Sequence, residues 1–240
     1  MKRIFSCFVI FMLLVSPCMA YYVVFPTPTI TGATGLIRVP SADVIPYKNY
    51  NIAAEVGSNL MAEKQAYNYK ANLGTFHGVE FGLIGGSKSE NNQVALREGV
   101  FINMKVSLAT DDSDLPLKLA IGVENLASFT QTDVYMVATK YFQQGFKLTF
   151  GFMGDFPNDR FRPLGALGIE LPLGSSNLVL LADGLAGETI GQLNAGIRFY
   201  FTPTFALHVN GVNLLQTKEN PNVGKEPKSI FAGFSWANPF

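Results

Sequence analysis

Histidine is the side chain best suited to moving protons near neutral pH, and this sequence contains His77 and His208. His77 lies in a short turn. His208 falls on a segment of alternating residues, on the side opposite the apolar one. Nucleophilic catalysis would need a hydroxyl or thiol beside one of them. No Ser on the apolar face is evident on a strand next to His208, and Cys7 and Cys18 both fall within residues 1–20. Asp111, Asp112 and Asp114 could suggest calcium, but the Gly and the bidentate Glu of a calcium loop are missing, so they read as a solvated turn. The run Gly32-Ala33-Thr34-Gly35 lacks the Lys-Ser/Thr and the strand-to-helix setting of a phosphate loop. No catalytic residue, metal or cofactor is expected.

What the sequence does supply is charge at regular intervals. Glu55, Glu80, Glu124, Glu170 and Asp183, with Lys70, Lys105, Lys118, Lys147 and Arg198, alternate with apolar residues. Asn51, Asn68, Asn72, Asn103 and Asn194 share their parity. The alternation is plainest where Val100, Ile102, Met104, Val106 and Leu108 oppose Phe101, Asn103, Lys105 and Ser107. It recurs where Phe146, Leu148, Phe150 and Phe152 oppose Lys147, Thr149, Gly151 and Met153. Period two is the strand period, and no sustained helical spacing competes with it. Further strands begin near Asn49, Ala66, Gly78, Leu115, Thr132, Leu164, Leu178, Leu193, Phe205 and Ser229.

The links between these strands alternate in length. Phe76-His77, Phe142–Gly145, Gly174–Asn177 and Thr202-Pro203 are tight, and Thr110–Leu115 is the loosest of that set. Between them stand longer polar links, from Ser58 to Lys64, Ser87 to Glu98, Asn125 to Gln131, Asp155 to Arg162, Leu185 to Ile190 and Asn213 to Lys228. Short turns at one end and long loops at the other are the arrangement of outer-membrane barrels. The expectation is therefore all-β: a transmembrane, antiparallel, up-and-down barrel of about twelve strands. The apolar parity would meet lipid. The charged parity would line the lumen, where five acids and five bases can pair across strands. With 18 basic against 18 acidic residues, the charge balance argues against nucleic acid as a partner. No stretch after residue 20 is long and apolar enough for a transmembrane helix.

The stretch from Ser229 to Phe240 fits the closing strand. Ile230, Ala232, Phe234 and Trp236 form a bulky apolar side, opposite Ser229, Phe231, Gly233, Ser235 and Ala237. With Phe240 it resembles the C-terminal signal of Gram-negative outer-membrane proteins. That resemblance implies the barrel-assembly machinery as a partner and Phe234, Trp236 and Phe240 as the assembly signal. Asn238 departs from the pattern. Twelve-stranded outer-membrane phospholipases are similar in architecture, with a Ser-His-Asn set on the lipid-facing wall, but His208 is on the other face.

At the N-terminus, Lys2 and Arg3 precede an apolar run from Ile4 to Val15, and Cys18-Met19-Ala20 offers a cleavage site. Residues 1–20 read as a cleaved signal peptide, 21–47 as an N-terminal periplasmic, plug-like segment and 48–240 as the barrel. A lipoprotein signal would use Cys18 instead, but Pro17 suits it poorly. The segment from Tyr21 to Pro46 is rich in Pro and Gly and apolar for a free tether, so it is expected to fold against the barrel mouth.

Its residues TGATGLIRVPSADVIPYKNYNI resemble the opening of YjbH-like proteins. Gly32, Thr34, Gly35, Leu36, Ile37, Pro40 and Pro46 carry the likeness. The resemblance implies an outer-membrane barrel associated with exopolysaccharide production, with polysaccharide or envelope proteins as partners beside the membrane lipids. A non-enzymatic envelope or exopolysaccharide role is the leading expectation. A narrow, weakly selective diffusion channel is the first alternative, and a lipid-modifying enzyme the second.

Overall fold

The structure is a computed structural model and describes residues 25–60, 65–86, 99–108, 117–126, 131–142, 145–157, 161–174, 177–188, 191–216 and 228–238. Residues 1–20, expected to be a signal peptide and holding Cys7 and Cys18, the acidic run Asp111, Asp112 and Asp114, and Phe240 lie outside the described residues. Twelve strands follow in order: β1 (Tyr50–Asn59), β2 (Gln65–Phe76), β3 (Val79–Gly86), β4 (Phe101–Ser107), β5 (Leu117–Glu124) and β6 (Gln131–Tyr141). Then come β7 (Lys147–Pro157), β8 (Arg162–Pro172), β9 (Leu178–Gly187), β10 (Gly191–Thr202), β11 (Phe205–Gln216) and β12 (Ser229–Asn238). Each strand pairs antiparallel with its neighbours in sequence, and β12 pairs with β1, so the sheet closes on itself without an edge. Closure matters in lipid, because an open edge would leave backbone N–H and C=O groups without water.

The period-two pattern decides which side chains face out. Along β4, Ile102 is exposed and Phe101, Asn103 and Lys105 are buried; along β10, Leu193, Ile197 and Phe199 are exposed and Asn194, Arg198 and Tyr200 are buried. The exposed parity of the described strands is apolar around the wall, including Val56, Leu83, Ile121, Phe150, Leu167 and Val209. Burying that band in hydrocarbon is what makes the barrel a membrane-spanning one. Phe234 and Trp236 of β12 belong to this outer face, and Trp236 meets the Tyr50 ring edge-on at 5.9 Å.

Several boundaries differ from the sequence expectation. β7 runs on to Pro157 and β8 starts at Arg162, so Asp155 and Arg162 are partners across a strand pair rather than loop residues, with Nη2 and Oδ2 2.6 Å apart. β9 reaches Gly187 and β11 reaches Gln216. In β11 the apolar alternation breaks at a register irregularity opposite Leu193–Ala195, where Asn213 takes a positive φ of 56°. That break is why the sequence pattern stops short of the strand's end.

The N-terminal segment does not rest on the mouth. Residues 27–37 are all buried, and Ile45 is still fully buried, because the chain enters the lumen and doubles back inside it. Phe25 N–H donates to Pro203 O at the short-turn end. The chain turns through Thr31–Gly32 and again through Arg38, then leaves past Pro46 to β1. Ala33, Val39 and Ala42 pack among Tyr135, Val137, Met153 and Leu164 of the wall, and Ile30 and Ile37 among Leu181, Tyr200 and Phe231. The expectation missed this depth because an irregular segment has no period from which to read a face.

Candidate functional site

An irregular chain inside a membrane barrel must find partners for its N–H and C=O groups among side chains, since it belongs to no ladder. The lumen charges provide them. Asp183 on β9 points one carboxylate oxygen, Oδ2, at three successive amides, those of Ile37, Arg38 and Val39, at 2.9, 2.7 and 2.8 Å. Successive amides converging on one anion form a nest, here filled by the wall itself. Glu80 on β3 accepts from the Thr34 amide at 2.9 Å, the Thr34 hydroxyl at 2.6 Å and the Ile45 amide at 3.0 Å.

The bases take the carbonyls. Lys105 on β4 donates to Thr34 O at 2.9 Å, to the Thr34 hydroxyl and to Ser41 O at 3.3 Å. Arg198 on β10 donates to Gly35 O and Leu36 O, both at 3.3 Å. Amides of the wall complete the set: Asn72 donates to Gly32 O at 2.9 Å, Asn103 to Thr31 O at 2.8 Å and Asn51 to Pro26 O at 2.9 Å. Glu124, at the end of β5, accepts from the Thr31 hydroxyl at 2.9 Å.

The motif residues thus lie where the segment must turn or be gripped. Gly32 has φ +106°, and a Cβ there would stand 2.6 Å from the Asn103 amide nitrogen. Gly35 bridges to Pro40, and Leu36 and Ile37 are buried beside it. The Pro46 carbonyl accepts from Asn49 N–H as the chain leaves the lumen.

Near the short-turn end, Asp43 of the segment is clasped by two further bases and a tyrosine. Lys147 Nζ is 3.1 Å from Oδ2, Lys118 Nζ is 3.7 Å from Oδ1, and the Tyr141 hydroxyl donates to Oδ1. Burial pushes the Asp43 carboxyl pKa up, but Lys147, Tyr141 and Lys118 together outweigh it and hold the group at about 2. Glu170 lies 4.0 Å from Lys147 and 3.9 Å from Arg198.

Of the ten charges expected in the lumen, eight are buried and the half-buried Lys118 and Lys147 reach Asp43, but the partners differ from those expected. Pairing between wall residues accounts for Glu55–Lys70 at 2.6 Å, Lys105–Glu80 at 3.7 Å and the contacts of Glu170 with Lys147 and Arg198. Most of the rest address the segment. Asp43 and Tyr141 were missed, the first for want of any parity and the second as the last residue of its strand. Asp133 and Asp155 are buried and inward; the parity of Tyr135 and Met153 was the signal that could have found them.

His208 is also inward. Its Nε2 lies 2.9 Å from Glu55 Oε1, and its Nδ1 meets no hydrogen-bonding partner. Among the described residues no three His, Cys, Asp or Glu side chains converge as a metal site.

Closed, apolar outside and filled by its own N-terminal segment, the chain is a membrane-spanning β-barrel with an internal plug. No family model and no curated protein matches it. Two solved structures overlay on it loosely. The low-pH structure of OprB from Pseudomonas putida is 9% identical, with a TM-score of 0.33, covering 79% of this chain and 91% of that one. Neisserial surface protein A is 11% identical, with a TM-score of 0.21, covering 80% and 95%. The architecture rests on the chain's own strand pairing.

Proposed function

We propose that this protein is a non-enzymatic outer-membrane barrel, closed at rest by residues 27–45 and acting in envelope or exopolysaccharide biology. The observation that carries the closed state is the plug itself. Its backbone is matched group by group to Asp183, Glu80, Lys105 and Arg198, charges that an open pore would leave facing water. The apolar outer band and the turn asymmetry support an outer-membrane site, with membrane lipids and the assembly machinery as partners. The link to exopolysaccharide rests on the likeness of the plug residues to YjbH-like proteins. A lipid-modifying role has little support, since His208 turns inward to Glu55.

In planar bilayers the protein without residues 1–20 should show low, intermittent conductance with weak ion selectivity. Removing residues 21–45 should raise it. A large steady conductance in the intact protein would contradict the closed state and favour the diffusion channel. For the cellular role, a strain lacking the gene should secrete altered amounts of exopolysaccharide, and unchanged secretion would remove that part of the reading.

A further inference from the structure

Glu55, Lys70 and His208, which pair with one another rather than with the plug, lie about the seam where β1 meets β12. No turn joins these two strands, so loop geometry cannot set their register as it does in a hairpin. The apolar pattern cannot set it alone either. A slip of one residue would turn the outer face of β12 inward, but a slip of two restores every face. Something else must distinguish the observed register, in which Glu55 opposes Gly233 and Gly57 opposes Phe231.

Those two pairs are reciprocal in size. A Cβ on Gly233 would run into the Ala54 carbonyl oxygen and stand 2.7 Å from Glu55 Cγ, so the β1 backbone and the Glu55 side chain together occupy the space over Gly233. A Cβ on Gly57 would stand 2.3 Å from Phe231 Cε1, so the Phe231 ring occupies the space over Gly57. Passing over Gly233 lets Glu55 cross β12 and reach His208 on β11, at 2.9 Å, while its other oxygen meets Lys70 on β2 at 2.6 Å. The cluster is buried and ties together β11, β12, β1 and β2. Buried ion pairs contribute little net stability, and setting register is their best-attested use.

Slipped registers lose this fit. Two residues one way, the Glu55 carboxylate would oppose the Phe231 ring, and Gly233 would face Ala53. Two residues the other way, Gly57 would face Gly233 and leave a gap with nothing to fill it. We propose that the Glu55–Gly233 and Gly57–Phe231 pairs form a size code by which β1 recognises β12 as its closing partner, with Lys70 and His208 fixing the Glu55 carboxylate across the seam.

Cysteine pairs can read the register, because both native cysteines lie within residues 1–20. In protein without those residues, folded into vesicles, Ala54→Cys with Phe234→Cys reports the observed register, in which those positions are partners. Ile52→Cys or Val56→Cys with Phe234→Cys reports a two-residue slip in either direction. Gly57→Leu should lower the native cross-link severalfold, Gly57→Ala should lower it less, and adding Phe231→Ala to Gly57→Leu should restore it, because only the Phe231 ring stands over Gly57. A general packing defect would not be rescued by removing a second side chain. The native cross-link at its original yield in both Gly57 variants would overturn the size code, and so would loss of folding in Gly57→Leu without rescue by Phe231→Ala.

Discussion

Two parts of the lumen wall carry the same sequence signal and use it differently. Where β11, β12, β1 and β2 meet, Glu55, Lys70 and His208 pair with one another. On β3, β4, β9 and β10, Glu80, Lys105, Asp183 and Arg198 reach instead to the plug backbone. The difference lies in what each charge faces. A carboxylate opposite unmatched amides binds them; one across from two bases, over a gap in the next strand, bridges strands. Inward charge in a barrel therefore does not by itself mean an ion path.

The largest effects should separate the two parts. Glu55→Ala leaves the Lys70 ammonium buried without its partner, which should cost the barrel about 3–5 kcal/mol while the lumen stays closed. Asp183→Ala instead leaves three plug amides unmatched, at about 1–3 kcal/mol for each buried group. It should loosen the plug while the barrel remains intact. Urea unfolding from vesicles measures the first effect and bilayer conductance the second. Equal loss of stability and equal conductance in both variants would erase the distinction.

A change on the lipid side should leave the lumen untouched. Phe150 points outward on β7, beside the inward Thr149. Phe150→Arg should cost about 2–4 kcal/mol by placing a guanidinium in hydrocarbon. Phe150→Leu should cost much less, and equal stability of the two variants would undo the assignment of that face. Neither should change conductance.

The smallest effect concerns Asp43. Its pKa is lowered from the ordinary 3.8 to about 2, so the ionised group favours the plugged state above the ordinary value. That support, at most about 2 kcal/mol, should fade as pH falls from roughly 4 toward 2. Asp43→Asn should remove the acid-dependent step in plug release. An identical pH profile in the variant would show that Lys118 and Lys147 do not depend on Asp43 for the closure.

The barrel was legible because alternation and turn length repeat along the chain, and pleat and lipid impose both. Phe150, Ile197 and Phe234 could be assigned a face from sequence alone. The plug position could not. Thr34 and Ile37 carry no periodic signal, and their partners Glu80 and Asp183 lie on distant strands, chosen by lumen geometry rather than by spacing. Asp155 was hidden differently: a polar residue near a strand end looks like the start of a loop until its partner Arg162 is seen across the pair.

The direct test of a plugged lumen is thiol access. Ala33→Cys places a small, near-isosteric thiol at a position 1% exposed, among wall residues of the lumen. Lys48→Cys places one at an exposed position outside it. In the folded protein in vesicles, with the short-turn end accessible, a membrane-impermeant maleimide should label Lys48→Cys rapidly. It should reach Ala33→Cys only after denaturant unfolds the barrel. Labelling of Ala33→Cys at the Lys48→Cys rate in the folded state would contradict a plug inside the lumen.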